Sequence, residues 1–237
     1  MPPSAPSIRA VLFDLGGTLI DERNFAGWAE VAGRCLLDLD PDRLAHAYHE
    51  VEIDIDAHPR PELWGEAGLF DFWQRVLSEA AGREVGRATV ERFAHGVRDL
   101  DGEIHLFSDA RRCLDALRAQ RRALGIVSNS SSEARVRSIL DRAGILDYFS
   151  RVVSSGTEGV AKPEAEIFHR AVRRMDVAPG EAFYVGNLAS TDARAARAAG
   201  LHSVWLHRDG TGLGDDPPEI TSLLEVPLVV RRIETGS

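Results

Sequence analysis

One stretch constrains this chain more than any other: Ala10-Val-Leu-Phe13, an apolar run that ends on Asp14 and turns at once through Gly16 and Gly17 to Thr18. A run without polar alternation is a strand buried on both faces, the habit of a parallel sheet wrapped by helices. An acid at the carboxyl end of such a strand sits where open α/β sheets place their ligands, and the glycines let backbone approach a bound group closely. Asp14 is therefore a candidate nucleophile. Taken alone, the segment also reads as a plain strand and turn, and the rest of the chain decides.

From about residue 104 the pattern alternates helix with strand. Strands are expected at Ala123–Val127, Arg151–Ser154, Ala182–Val185 and Ser203–Leu206. Between them lie a helix capped by Ser108 or Asp109 and running to about Arg121, one from Glu133 to Ala143, one opened by Pro163 and ending near Met175, and one from Ser190 to Ala199 closed by Gly200. Glu219 to Leu224 reads as a short helix and Pro227 to Val230 as a last apolar piece. Asp21 to about Leu100, in contrast, reads as helix after helix: Asn24–Leu39, Asp42–Ile55 behind Pro41, a third carrying Leu63, Ala67, Phe70, Trp73, Leu77 and Ala80 on one face, and Ala88–Leu100.

The expected fold is α/β: a Rossmann-like parallel sheet core over residues 1–20 and 102–237, with an all-helical cap inserted at 21–101. So close to the Asp14 turn, the insert is expected to act as a lid. Trp28, Trp64 and Trp73 fit helix–helix core better than a substrate pocket. His46 and His49 share one helix face but find no third ligand of matching spacing, which makes them a solvated face.

The balance of 28 basic against 37 acidic residues, a net charge of −9, argues against nucleic acid or an anionic membrane as partner, and leaves room for a small anionic substrate held by a few placed donors. Cys35 and Cys113 make neither a disulfide framework nor a metal-ligand spacing. The first residues have no basic start and no apolar run, and no later stretch has the length of a membrane span, so a cytoplasmic protein is expected.

Three further strand ends carry polar groups. Ser128-Asn129 offers a hydroxyl and backbone donors to an anion, or a serine-rich helix cap. Lys162, ahead of Pro163 in Val160-Ala-Lys-Pro-Glu-Ala-Glu-Ile-Phe168, either points into the cleft to neutralise Asp14 and a transferring group or stays solvated. Tyr184-Val-Gly-Asn187-Leu-Ala-Ser-Thr-Asp192 then precedes a helix ending Ala-Gly.

These four segments, in this order and spanning nearly the whole chain, resemble those of the haloacid dehalogenase-like superfamily. The family opens on Asp-x-Asp-x-Thr and continues with Ser/Thr-Asn, Lys-Pro and Val-Gly-Asp-x-x-x-x-Asp. The resemblance implies Asp14 as nucleophile of an aspartyl-phosphate or aspartyl-ester, assisted by Lys162. It implies Thr18, Ser128, Asn129 and Lys162 as phosphate-binding residues, and a Mg2+ held by Asp14, the Gly16 backbone carbonyl, Asn187 and Asp192.

Two positions depart from the family pattern. Gly16 stands where the family has its general acid/base aspartate, and Asn187 where it has an acid that ligates magnesium; both changes remove negative charge. The first activity implied is a magnesium-dependent phosphatase for a small phosphorylated metabolite, slowed by Gly16. The second is a metal-free 2-haloacid dehalogenase, because a halide leaves without a proton. The third is a silent relative that binds a ligand or partner.

Overall fold

The computed structural model describes residues 7–58, 66–100, 104–208, 210 and 216–236. The chain divides into two compact units, Met1–Asp21 with His105–Ser237, and Glu22–Ile104.

In the first unit β1 (Ala10–Phe13) leads through the Asp14 turn to β2 (Ile20–Asp21). The second unit contributes α1 (Phe25–Arg34), α2 (Pro41–Ala57), α3 (Glu66–Ala81) and α4 (Arg87–Asp99). On its return the chain forms β3 (His105–Leu106), α5 (Ala110–Ala119), β4 (Ala123–Ser128), α6 (Glu133–Arg142) and β5 (Arg151–Ser154). There follow α7 (Ser155–Glu158), α8 (Ala165–Arg174), β6 (Ala182–Gly186), α9 (Ala195–Ala198), β7 (His202–Leu206), β8 (Glu219–Ile220) and α10 (Val226–Thr235).

Among the described residues, six strands pair all-parallel in the order β5-β4-β1-β6-β7-β8. All four residues of β1 are buried, as its apolar run predicts for the middle of such a sheet. The chain leaves β1 toward β4 on one side and later crosses to β6 on the other. The order therefore reverses between β1 and β6, which opens a crevice at their carboxyl ends.

The antiparallel ribbon of β2 and β3 pairs Ile20 with Leu106 and Asp21 with His105. Both crossings to the helical unit leave from this ribbon, which puts the junctions after Asp21 and after Ile104 rather than at 20 and 101. Within the helical unit, α1 and α2 start on side-chain caps: Asn24 accepts from Gly27 N, and Asp40 accepts from Arg43 N ahead of Pro41. Trp28 and Trp73 meet edge to face at 5.0 Å inside a core with Val31, Leu44, Val76, Leu77 and Phe93. His46 and His49 are exposed, and Leu63 and Trp64 lie outside the described residues.

One expectation for the last segment is corrected. Glu219–Leu224 is not a helix: Glu219 and Ile220 extend the sheet beside Trp205 and Leu206, and a 3-10 turn at Leu223–Glu225 follows. Ile220, buried beside Leu206 at the sheet edge, outweighs a weak helical pattern. The apolar piece Pro227–Val230 lies in α10, with Pro227 in the first turn, where its missing N–H costs nothing. The helix expected over Ser190–Ala199 begins instead as a π-helical turn at Ala189–Arg194.

Helix α10 is tied to the start of β1. Glu234 accepts from Ile8 N at 2.9 Å and from both terminal nitrogens of Arg122 at 2.7 Å. Glu234→Ala would strand a mostly buried guanidinium, so a stability loss of about 1.5–3 kcal/mol is expected. Calorimetry should read it as a melting temperature lower by several degrees; an unchanged melting point would show that the pair contributes nothing.

Candidate active site

Asp14 is the first residue beyond β1, and its N–H still donates to Val185 O at 2.9 Å, so β6 fixes its backbone. The next residues turn sharply. Gly17 takes the left-handed conformation, φ 71°, and a Cβ there would stand 2.5 Å from the Asn187 amide nitrogen. Only glycine fits between the two turns.

Lys162 reaches the carboxylate from the loop ahead of α8. Its ammonium donates to Asp14 Oδ1 at 2.6 Å, Asp192 Oδ1 at 2.6 Å and the Tyr184 hydroxyl at 3.1 Å. An ammonium has three N–H donors, so all are used. The Lys162 backbone is clamped by Asn129, whose amide donates to Lys162 O at 3.0 Å and accepts from Lys162 N at 2.9 Å. Asp192 has no exposed surface. Its Oδ1 accepts from Lys162 and from Tyr184 at 3.0 Å, and its Oδ2 from Leu188 N at 3.1 Å.

The other Asp14 oxygen faces Thr18. The Thr18 hydroxyl lies 3.3 Å from Asp14 Oδ2 and 3.3 Å from Asn187 Oδ1, so its one proton is shared between two oxygens that converge on it. Asn187 is anchored through its carbonyl, which accepts from the Trp205 indole at 2.9 Å. Ser128, the last residue of β4, follows the residues paired with β1 on the opposite side of the crevice.

Burial sets the charges. Asp14 is pushed up to about 6, first by desolvation and then by Asp192, against the pull of Lys162. Burial alone would lower Lys162, yet attraction to Asp14 and Asp192 outweighs it and moves it up. The two directions differ because Lys162 gathers attraction from two carboxylates, whereas Asp14 shares one ammonium and is repelled by Asp192. At pH 7 both remain charged. The Tyr184 phenol is raised far from ionisation, by burial first and the two carboxylates next.

Asp14, Thr18, Asn187, Asp192 and Lys162 thus form one hydrogen-bonded cluster with Asn129 behind it. Several of these side chains are engaged with one another. Thr18 has no exposed surface, whereas Asp14 and Ser128 each keep 7%. Asn129 spends its amide on Lys162, and Asp192 spends its carboxylate on Lys162, Tyr184 and Leu188. Gly16 is half-buried in the turn.

Sequence reasoning passed over Tyr184 and Arg208. Tyr184 sits within an apolar strand between Phe183 and Val185, and only the fold shows its hydroxyl beside Lys162. Arg208 donates to Thr18 O at 2.9 Å from a position past β7 that carries no local signal.

The chain belongs to the haloacid dehalogenase-like hydrolases, whose family model matches residues 8–200. It is a hydrolase of that family. A phosphoserine phosphatase of Thermus thermophilus is 30% identical, over 93% of this chain and 89% of its own. The human N-acylneuraminate-9-phosphatase is 27% identical over 96% of this chain and 95% of its own. Among solved structures, a 2-haloacid dehalogenase of Pseudomonas syringae superposes with a TM-score of 0.62 at 25% identity, covering 95% of this chain and 99% of the other. No described helix is long and apolar enough to cross a membrane.

Proposed function

We propose that this hydrolase is a phosphatase for a small phosphorylated metabolite, working through an aspartyl-phosphate on Asp14. One observation carries the reading: Asp14 is a strand-end carboxylate locked in rotation, one oxygen on Lys162 and the other toward Thr18 and Asn187, and it still meets solvent. Lys162 cancels charge on the nucleophile as an anionic group approaches, and Asp192, Tyr184 and Asn129 hold Lys162 in place. Ser128 supplies a hydroxyl at the strand end beside the nucleophile.

The donor chemistry fits magnesium. Asp14 Oδ2 and Asn187 Oδ1 converge on one hydroxyl, and hard oxygen donors with few carboxylates suit an ion that keeps water and substrate oxygens. Among the described residues no group of three acidic, histidine or cysteine side chains could hold a metal. The residues that would hold the ion are Asp14, Asn187 and the Gly16 backbone carbonyl, with Asp192 kept for Lys162. When bound, the ion neutralises charge on the transferring phosphoryl group. The helical unit selects the substrate in this reading, and with both cysteines free and buried the protein belongs in the reducing cytoplasm.

A second reading is favoured by Gly16 and Asn187. Esterification at carbon needs neither a general acid nor a cation, which makes a 2-haloacid dehalogenase using the same Asp14 the competing activity.

The deciding experiment offers acetyl phosphate or p-nitrophenyl phosphate, quenches, reduces with borohydride and maps the modified residue by mass spectrometry. Homoserine at position 14 is expected. Chloride release from 2-chloropropionate without a phosphorylated Asp14 would give the site to the second reading.

The attacking carboxylate must be ionised, so activity should rise with pH through about 6 in magnesium-poor buffer. Added magnesium, which favours the charged form, should move that limb to lower pH. A limb that does not move would remove the cation from beside Asp14.

A further inference from the structure

Thr18 is gripped from both ends, and only one grip belongs to the cluster around Asp14. Its hydroxyl faces the nucleophile; its carbonyl accepts from Arg208 Nη2 at 2.9 Å. The guanidinium also makes a two-pronged pair with Asp109, at 2.9 and 3.2 Å, and lies 3.7 Å over the Phe107 ring. Asp109 stands at the start of α5 but makes no cap bond to its own helix. Its carboxylate accepts instead from the Ser222 hydroxyl at 2.9 Å and Leu223 N at 3.0 Å, which roots it in the turn between β8 and α10. Burial alone would raise Asp109, yet Arg208 and these donors outweigh it and hold the carboxyl low, so the pair stays charged.

The location explains why such a staple is needed. Thr18 lies immediately before the β2–β3 ribbon, and Phe107 N donates to Leu19 O at 3.0 Å. Both chain crossings to Glu22–Ile104 leave from that ribbon, so displacement along either crossing reaches Thr18 within a few bonds. A carbonyl held by a planar, multiply anchored guanidinium resists that displacement.

We propose that Arg208, anchored by Asp109, is a positioning residue for the nucleophile: it fixes the Thr18 backbone so that the Thr18 hydroxyl stays on Asp14 while the ribbon moves. This rests on Asp14 being the nucleophile. Misplacing a catalytic group by a fraction of a bond length is costly to rate, whereas substrate binding groups are untouched.

The test compares full-length wild type with Arg208→Ala and Arg208→Lys. In Arg208→Ala, amide exchange in residues 15–21 should quicken about tenfold or more while 123–128 and 182–186 keep their protection. With p-nitrophenyl phosphate, the rate of the p-nitrophenol burst, which reports attack by Asp14, should fall about tenfold or more. Added guanidinium ion should restore part of the lost burst rate, which a general loss of stability would not allow. Arg208→Lys keeps the charge opposite Asp109 but not the fork, so it should melt like wild type and still lose burst rate; it decides the matter if Arg208→Ala does not fold. Either readout at the wild-type level in a folded variant overturns the proposal. A wild type silent on every phosphate ester sinks the nucleophile instead, and the exchange measurement then judges the staple alone.

Discussion

Lys162→Met is expected to abolish turnover and to destabilise the α/β unit by about 3–5 kcal/mol, because it leaves two carboxylates in the interior without their cation. The methionine fills nearly the same volume, so the loss reports charge rather than a cavity. The pH dependence gives the cause away. In wild type the raised Lys162 pKa means its stabilising contribution is intact below its unfolded value of 10.5 and is lost only as pH rises through the folded value. In the variant Asp14, already raised by burial and by Asp192, also loses the pull of Lys162, so its penalty is full at neutral pH and is relieved as pH falls through its folded value. The difference in melting temperature between variant and wild type should therefore be widest near pH 8 and shrink below 6. An equal gap at pH 5 and pH 8 would show that Lys162 does not neutralise Asp14 and Asp192.

The second large effect is a gain. Wild-type enzyme should show a burst of p-nitrophenol and then slow release, because no side chain two places after Asp14 activates water against the aspartyl-phosphate. Gly16→Asp supplies that base, and the left-handed residue of the turn is Gly17, so the added side chain does not have to adopt its conformation. Adding Asn187→Asp sets a second carboxylate against the Thr18 hydroxyl that already faces Asp14 Oδ2. Two like charges there should lower the melting temperature in chelator and raise magnesium affinity. With magnesium, steady-state turnover of the double variant should rise on the order of 100-fold. No burst in wild type and no gain in the double variant, whatever the magnesium, would end the phosphatase reading.

The parts that sequence reading found are those whose signal is local. Strand ends at Asp14, Ser128 and Asn187 follow apolar runs, Lys162 precedes a proline, and each is marked by its own neighbours. The parts it missed are made by distant pairing. Strand β8 is two residues whose only recommendation is Trp205 and Leu206 beside them. Tyr184 becomes polar in function only when Lys162 arrives from another loop. Asp109 looks like a helix cap and Asn129 like an anion ligand, since the groups that occupy them, the Arg208 guanidinium and the Lys162 backbone, lie far along the chain. Local pattern names the residue types at a site; the fold decides which of them face a ligand and which hold the others still.

The central place of β1 has a consequence during synthesis. The strand bearing Asp14 leaves the ribosome before both of its partners, β4 and β6, and the second of these ends at Gly186. Until then its four buried residues can pair along one edge only, with β4. The helical unit, whose core closes on itself, is complete well before and stands between them in the nascent chain. Translation thus finishes the insert first and leaves one edge of the nucleophile's strand waiting, so a chain truncated before β6 keeps the whole helical unit while the β6-facing edge of an apolar strand stays unpaired.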